Sequence, residues 1–298
     1  MEEARDMDQA GTLREMTRKK GNGSHRKVIS ITSGKGGVGK TNVVVNLAFA
    51  LTRLGKRVLV LDADLGLANI DVLLGVKPQY HLGHVLTGQK LLSEIILEGP
   101  GGILILPASS GIEEFSSLDE TQRLQLLAQM DLMEEQIDLM LIDTAPGISP
   151  NVVYFNLVAE EIVVVSSPEP TSIIDAYALI KVLSLNYSEK HFNLLVNVAS
   201  SAQEAQEVFR NLTTVAERFM DVSIDYLGYI LKDDKVPKAV RQQRPVTELY
   251  PDSLASRCFM DLARKVSLLP DRPQPKGGIQ FFWRHLWEER LRAKVGAK

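Results

Sequence analysis

The chain has 298 residues, 45% of them hydrophobic and 24% charged, with a net charge of −3. These are ordinary globular values; they exclude a disordered, collagen-like or coiled-coil chain, and the slightly acidic balance argues against a strongly basic nucleic-acid binder. The single cysteine, Cys258, excludes a disulfide framework, a four-thiolate zinc site and an iron–sulfur cluster held by a CxxC pair of this chain.

Residues 1–26 read as a separate arm, polar, with a basic cluster at Arg18, Lys19 and Lys20 and a flexible stretch from Gly21 to Ser24. The arm holds no apolar signal core, and no apolar run in the chain reaches the roughly 18 residues of a membrane span, so the sequence points to the cytoplasm. The globular part opens with a short apolar strand from Lys27 to Thr32. Apolar, β-branched runs recur at Val58–Leu61, Ile103–Leu106, Leu139–Ile142, Ile162–Val165, Leu194–Val198 and Tyr226–Ile230. Such near-continuous runs suit strands covered on both faces, hence a parallel sheet. Helical spacing marks Thr41–Leu54, Thr121–Gln136, Thr171–Asn186, Ala202–Phe219 and Asp252–Leu268. The alternation predicts one doubly wound α/β domain over 27–268, followed by a proline-rich linker, 270–276, and a last segment to 298.

Between the first strand and the first helix lies Gly34-Lys35-Gly36-Gly37-Val38-Gly39-Lys40-Thr41. It satisfies G-x-x-x-x-G-K-[ST] in the strand–loop–helix context of a phosphate-binding loop. The glycines let backbone N–H groups turn inward, the helix N-terminus adds a positive dipole end, Lys40 brings a full charge to the β/γ-phosphates, and the Thr41 hydroxyl suits Mg²⁺. Gly34-x-Gly36-x-x-Gly39 also fits the dinucleotide fingerprint, with Asp62 placed as a ribose-binding acid. Lys40-Thr41 argues against that alternative, because a dinucleotide needs neither a γ-phosphate lysine nor a magnesium hydroxyl.

Two later strands end in carboxylates. Asp143 closes Leu139–Ile142 and is the expected aspartate for the Mg²⁺ water shell, with Thr144, Ala145, Pro146 and Gly147 as a switch loop sensing the γ-phosphate. Asp62 and Asp64 follow Val58–Leu61, where the chain turns and both can approach a nucleotide. Asp64 is expected to orient the attacking water and Asp62 to support it beside the metal. Phosphoryl transfer needs mainly such positioning and charge neutralisation.

K-G-G-V-G-K-T (35–41), L-D-A-D-L-G-L-A-N-I-D (61–71) and L-I-D-T-A-P-G (141–147) together resemble the deviant-Walker-A P-loop ATPases of the MinD/ParA family, over about residues 27–268. The resemblance implies ATP and Mg²⁺ as cofactors, slow ATP hydrolysis, and a homodimer when ATP is bound. In that family the lysine matching Lys35 reaches the partner's phosphates, so Lys35 joins Lys40 and Asp64 as an expected catalytic residue. Asn197 matches the family's adenine-contacting asparagine. Ser167–Ser172, with Asp175 beyond it, resembles the loop lining the base and the dimer face. In the arm, Asp8, Gln9, Ala10, Leu13 and Arg14 form a D-Q-A-x-x-L-R motif. It is similar to the activator helix of the FlhG (FleN/YlxH) branch, which controls flagellar number and placement. The implied partner is an FlhF-type GTPase of the signal-recognition-particle class, with Gln9 presented to its site. Flagellar switch proteins or a transcription regulator are further partners that this branch implies. A MinD-like division-site ATPase, or a ParA-like ATPase partitioning DNA or cargo, is the alternative within the family.

In the last segment Ile279, Phe282, Trp283, Leu286, Trp287 and Leu291 fall on one helical stripe. Residues 270–298 carry seven Lys/Arg against three Asp/Glu. Tryptophan and phenylalanine opposite basic residues suit a helix lying in an anionic membrane surface; docking on the domain's own core is the competing reading. Elsewhere, Cys258 reads as a small core residue, His81 and His84 as surface, and the basic stretch Lys232–Arg244 as a solvated helix face.

Overall fold

In this computed structural model, residues 26–64, 70–107, 129, 133 and 136–270 are described. Strand β1 (Lys27–Thr32) is followed by helix α1 (Lys40–Arg53), and β2 (Val58–Ala63) by the short helices α2 (Ile70–Leu74), α3 (Leu82–Leu86) and α4 (Leu92–Ile95). Next come β3 (Leu97–Glu98), β4 (Leu104–Pro107), β5 (Leu139–Thr144), α5 (Pro150–Val158), β6 (Glu161–Ser166) and α6 (Pro170–Tyr187). The described chain closes with β7 (His191–Ala199), α7 (Ala202–Phe219), β8 (Ser223–Leu231), α8 (Lys235–Arg241), α9 (Val246–Leu249) and α10 (Leu254–Ser267).

The strands form one sheet in the order β3-β4-β2-β5-β1-β6-β7-β8, parallel except for β3, which runs antiparallel to β4 at one edge. The apolar runs are nearly continuous because both faces are buried. Ile29, Ile31, Val58, Val60 and Leu141 pack under α1 and α10, while Val28, Leu59, Leu61, Met140 and Ile142 pack under Tyr154, Phe155 and Val158 of α5. Helices α6 and α7 cover the same side of β6 and β7, through Ile180, Leu183, Val208 and Leu212. Helix α1 is buried from Val43 to Leu51. The one polar residue within that run, Asn46, is matched: its Oδ1 accepts from the Thr247 amide and the Thr247 hydroxyl, both at 3.1 Å, which ties α1 to α9.

The doubly wound, mostly parallel sheet expected from the sequence is present, with particular differences. Strand β2 runs on through Asp62 to Ala63, and β5 through Asp143 to Thr144, so both aspartates lie within strands. Helix α5 was not expected; it is apolar on all sides, with no stripe to mark it, and starts with Pro150 in its first turn. His81 and His84 are half-buried and cap α3: His81 Nδ1 accepts from the Gly83 amide, and His84 Nδ1 from the His81 amide. Cys258 is half-buried against the core, and that burial pushes its thiol above the usual range. Most of the helix expected over 121–136, the arm motif Asp8–Arg14 and the stripe Ile279–Leu291 lie outside the described residues. Among the described residues no helix is long and apolar enough to cross a membrane.

Candidate nucleotide site

Because β1, β2, β5 and β7 are parallel, their C-terminal ends open on one edge of the sheet, where ligands of such folds bind. The loop from Ser33 to Gly39 leaves β1 there and enters α1. Gly37 and Gly39 adopt φ of +82° and +84°, which glycine reaches without the clash a Cβ brings. Among the described residues no side chain caps the α1 N-terminus, so its first N–H groups stay available to an anion. Two neighbours hold the loop closely. A Cβ on Gly34 would stand 2.0 Å from the Asp175 carbonyl oxygen of α6, and one on Gly39 would stand 2.5 Å from Asn197 Nδ2. Asn197 Nδ2 itself donates to the Val38 carbonyl at 2.7 Å.

Asp62 and Asp143 are register partners on β2 and β5. Asp143 is fully buried and forms an ion pair through Oδ1 with Lys40 Nζ; its Oδ2 has no hydrogen-bond partner among the described residues. Burial pushes the Asp143 carboxyl above the usual carboxylate range, against the pull of the Lys40 ammonium and the Thr41 hydroxyl; the Asp64 charge nearby adds to the rise. Asp62 turns onto backbone: Oδ1 accepts from the Asp64 amide at 3.2 Å and Oδ2 from the Ile70 amide at 3.3 Å. It therefore holds the start of α2 and the chain that carries Asp64. The Thr144 hydroxyl lies against Thr32 Oγ1 and the Ile31 carbonyl. The Gly147 amide donates to the Ser33 carbonyl at 2.8 Å, so the switch segment 144–147 is laced to the foot of the phosphate loop. Lys35 stands at the rim, where its Nζ meets Glu169 Oε2 and Thr171 Oγ1, both at 2.9 Å.

A cleft of about 690 Å³, the size of a nucleotide pocket, opens at the phosphate loop; Asp62, Asp143 and Asn197 lie behind its lining. Lys35, Gly36, Gly37, Val38, Gly39, Lys40, Thr41, Asp64 and Pro146 line it. Val72, Leu73, Val240, Arg241 and Gln243 form the opposite wall, and the sequence did not mark them. The only signal was the basic character of Lys232–Arg244, which reads equally well as a solvated surface.

A glycine loop at the mouth of a parallel sheet, a buried lysine, and an acidic strand end beside a threonine define a P-loop nucleotide-binding protein. The particular family follows from comparison with known proteins. Residues 26–196 match the family model described as an AAA domain. The chain is 47% identical over 256 residues to the antiactivator FleN of Pseudomonas aeruginosa, covering 86% of this chain and 91% of that one. It is 33% identical over 272 residues to the flagellum site-determining protein YlxH of Helicobacter pylori, covering 89% and 91%. Its fold superposes on the septum site-determining protein MinD of Pyrococcus horikoshii, solved with Mg-ADP, with a TM-score of 0.63 and 27% identity over 82% of this chain and 97% of that one. The chain belongs to the MinD/ParA family of P-loop ATPases, in the branch that contains FleN and YlxH.

Proposed function

We propose that this chain is a switch ATPase that regulates flagellar number and placement: ATP binding pairs two copies, the pair engages membrane and partner, and hydrolysis releases them. The observation that carries the reading is the state of the site's lysines and acids. Lys40 is buried inside the pocket, and Lys35 is held at its rim by two exposed side chains from which it is easily released. A lysine placed at the rim suits a triphosphate presented by a second copy.

The residues fit Mg²⁺ on the chemistry of the donors: Asp143 Oδ2 is buried without a hydrogen-bond partner among the described residues, next to Lys40 and Thr41. Thr41 and Asp143 would hold the ion, which supplies charge neutralisation at the β- and γ-phosphates. Gly34, Gly36, Gly37, Val38 and Gly39 wrap the phosphates with amides. Asp64 orients the attacking water, and Asp62 holds the backbone beneath it. Asn197 ties the base side of the pocket to the phosphate loop, and Thr144–Gly147 transmits loss of the γ-phosphate through Ser33.

The partner reading rests on the two flanking motifs. Gln9, within Asp8–Arg14, is presented to an FlhF-type GTPase, and the stripe Ile279–Leu291 lies on an anionic membrane. Dimerisation doubles a weak anchor, which is how two marginal contacts become a useful one. The test is light scattering with a non-hydrolysable ATP analogue, wild type against Lys35→Ala, followed by liposome sedimentation and GTPase stimulation with the full chain and Gln9→Ala. The wild type should pair only with the triphosphate, and Lys35→Ala should stay single while still binding ADP. A wild type that remains monomeric with the analogue bound removes the switch. Equal stimulation by wild type and Gln9→Ala removes the arm's role.

A further inference from the structure

Gln243 is one of three non-glycine residues with positive φ among the described residues, at +55°. A residue that is neither glycine nor asparagine is uncommon there, and such strain persists only where the surroundings enforce it. The surroundings are specific. Gln243 Nε2 donates to the Val72 carbonyl of α2 at 2.9 Å. Gly75, itself at φ +64° just beyond the end of α2, makes room for it; a Cβ there would lie 3.0 Å from Gln243 Oε1 and 3.3 Å from its Cβ. Helix α2 has only five residues, too few to stand without help at its ends. It is held from outside at two points: at its start the Ile70 amide donates to Asp62 Oδ2, and at its middle residue the Val72 carbonyl accepts from Gln243. The Asp71 carbonyl is taken by the Val76 amide. Val72 and Gln243 face each other across the wall of the cavity opposite the phosphate loop.

We propose that Gln243 is a positioning residue for ATP hydrolysis, clasping α2 at its middle residue, Val72, so that Asp62 and, through it, Asp64 stand at a fixed distance from the phosphate loop. This rests on the reading that Asp64 orients the attacking water. Gln243 touches no reacting atom, so its effect falls on turnover and not on affinity. The left-handed backbone separates the two roles that a side chain at this place can have. Replacing Gln243 by glycine relieves the strain and removes the clasp together, so a purely structural residue would give a protein as active as the wild type.

The experiment compares full-length wild type, Gln243→Gly, Gln243→Asn and Asp64→Asn, at a protein concentration where specific activity has reached its plateau. Asparagine tolerates the left-handed backbone but is one methylene short of Val72. Both Gln243 variants should melt no lower than wild type and bind ADP within about twofold of it. Both should lose about tenfold in kcat, the size of effect that follows when a catalytic group shifts by less than an ångström. Wild-type turnover in Gln243→Gly overturns the proposal, as does a loss of ADP affinity by the same factor as the loss of kcat, or a fall in melting temperature that accompanies it. If Asp64→Asn turns over like wild type, the reading beneath the proposal fails instead. If Asp64→Asn alone is slow, the clasp fails and that reading stands.

Discussion

Lys40 and Asp143 form a buried ion pair that leaves the second carboxylate oxygen of Asp143 without a hydrogen-bond partner among the described residues. An ion pair of this kind is weak support for stability when intact and a heavy loss when halved, because the remaining charge stays buried. Lys40→Ala strands Asp143, and Asp143→Ala strands Lys40; each should cost about 3–5 kcal/mol in urea unfolding. Lys40→Met with Asp143→Asn, which removes both charges at near-constant volume, should recover most of that. All three should lose ATP hydrolysis by on the order of 100-fold or more, since each removes charge stabilisation from the phosphates. Recovery of stability without recovery of turnover is the informative outcome.

Gly34 and Gly39 fail for different reasons when substituted. Gly34→Ala places a Cβ 2.0 Å from the Asp175 carbonyl, against backbone that has no room to move, so the phosphate loop must lift away from α6. Gly39→Ala meets the end of the Asn197 amide at 2.5 Å and adds the strain of φ +84°, which costs at least about 1 kcal/mol. Both should weaken ADP binding by about tenfold or more, measured by calorimetry. In Gly39→Ala, removing the amide with Asn197→Ala should restore part of the loss, whereas in Gly34→Ala it should restore nothing.

The features legible in the sequence are those that a local pattern encodes. The strands were readable because burial of both faces turns each into a continuous apolar run, and the phosphate loop because its fixed positions sit between such a strand and a helix. Helix α5 was not, since Val152, Val153, Phe155 and Val158 bury all sides and leave no period to detect. Strand β3 has two residues, below any pattern. The far wall of the pocket was illegible for another reason. Val240, Arg241 and Gln243 reach the site only because Ala239 and Val246 are drawn into the core beneath α1 and α10, a tertiary event that a basic stretch does not announce. The attachment of Asp62 to the Ile70 amide likewise depends on where the chain returns after Asp64.

Val198 carries φ +60° next to Asn197, at an irregularity in the pairing of β7 with β8. A β-branched residue is a genuine outlier there, and irregularities of this kind re-aim side chains beside sites. Val198→Gly relieves the strain but loosens the unfolded chain, so the net gain should be about 1 kcal/mol or less. Urea midpoints decide this: a loss of stability would mean that the exposed valine side chain makes contacts worth more than the strain.

Arg57 and Asp138 clasp the lower ends of β2 and β5. Asp138 Oδ2 accepts from the Arg57 backbone amide at 2.8 Å and Oδ1 from its guanidinium at 2.8 Å, while the Arg57 carbonyl accepts from the Asp138 amide at 2.9 Å. The side-chain bond to Arg57 holds the Asp138 carboxyl below its usual range. A carboxyl lowered by folding adds stability above its unfolded value, near about 3.9, and loses it as pH falls through the folded value. Asp138→Asn should therefore lower the urea midpoint slightly at neutral pH, because the pair is partly exposed. The gap to wild type should persist at about pH 5 and close progressively below about pH 4. A gap that is constant with pH would assign the effect to lost backbone hydrogen bonding alone.

Lys35 is tethered to Glu169 and Thr171 at the start of α6, and the same helix supplies the Asp175 carbonyl against Gly34. The contact is exposed on both sides, so it sets where the lysine rests and adds little to stability. Glu169→Ala with Thr171→Val removes both partners and leaves the phosphate loop's own packing intact. The double variant should unfold at the wild-type urea midpoint and bind ADP as the wild type does. If Lys35 must leave this tether to reach a triphosphate on a second copy, the variant should pair at lower ATP-analogue concentrations, by about threefold to tenfold, the scale of a lost charge-assisted hydrogen bond. Pairing that needs more analogue than wild type would mean that Glu169 or Thr171 belongs to the contact between copies, and that the tether is part of the assembled state.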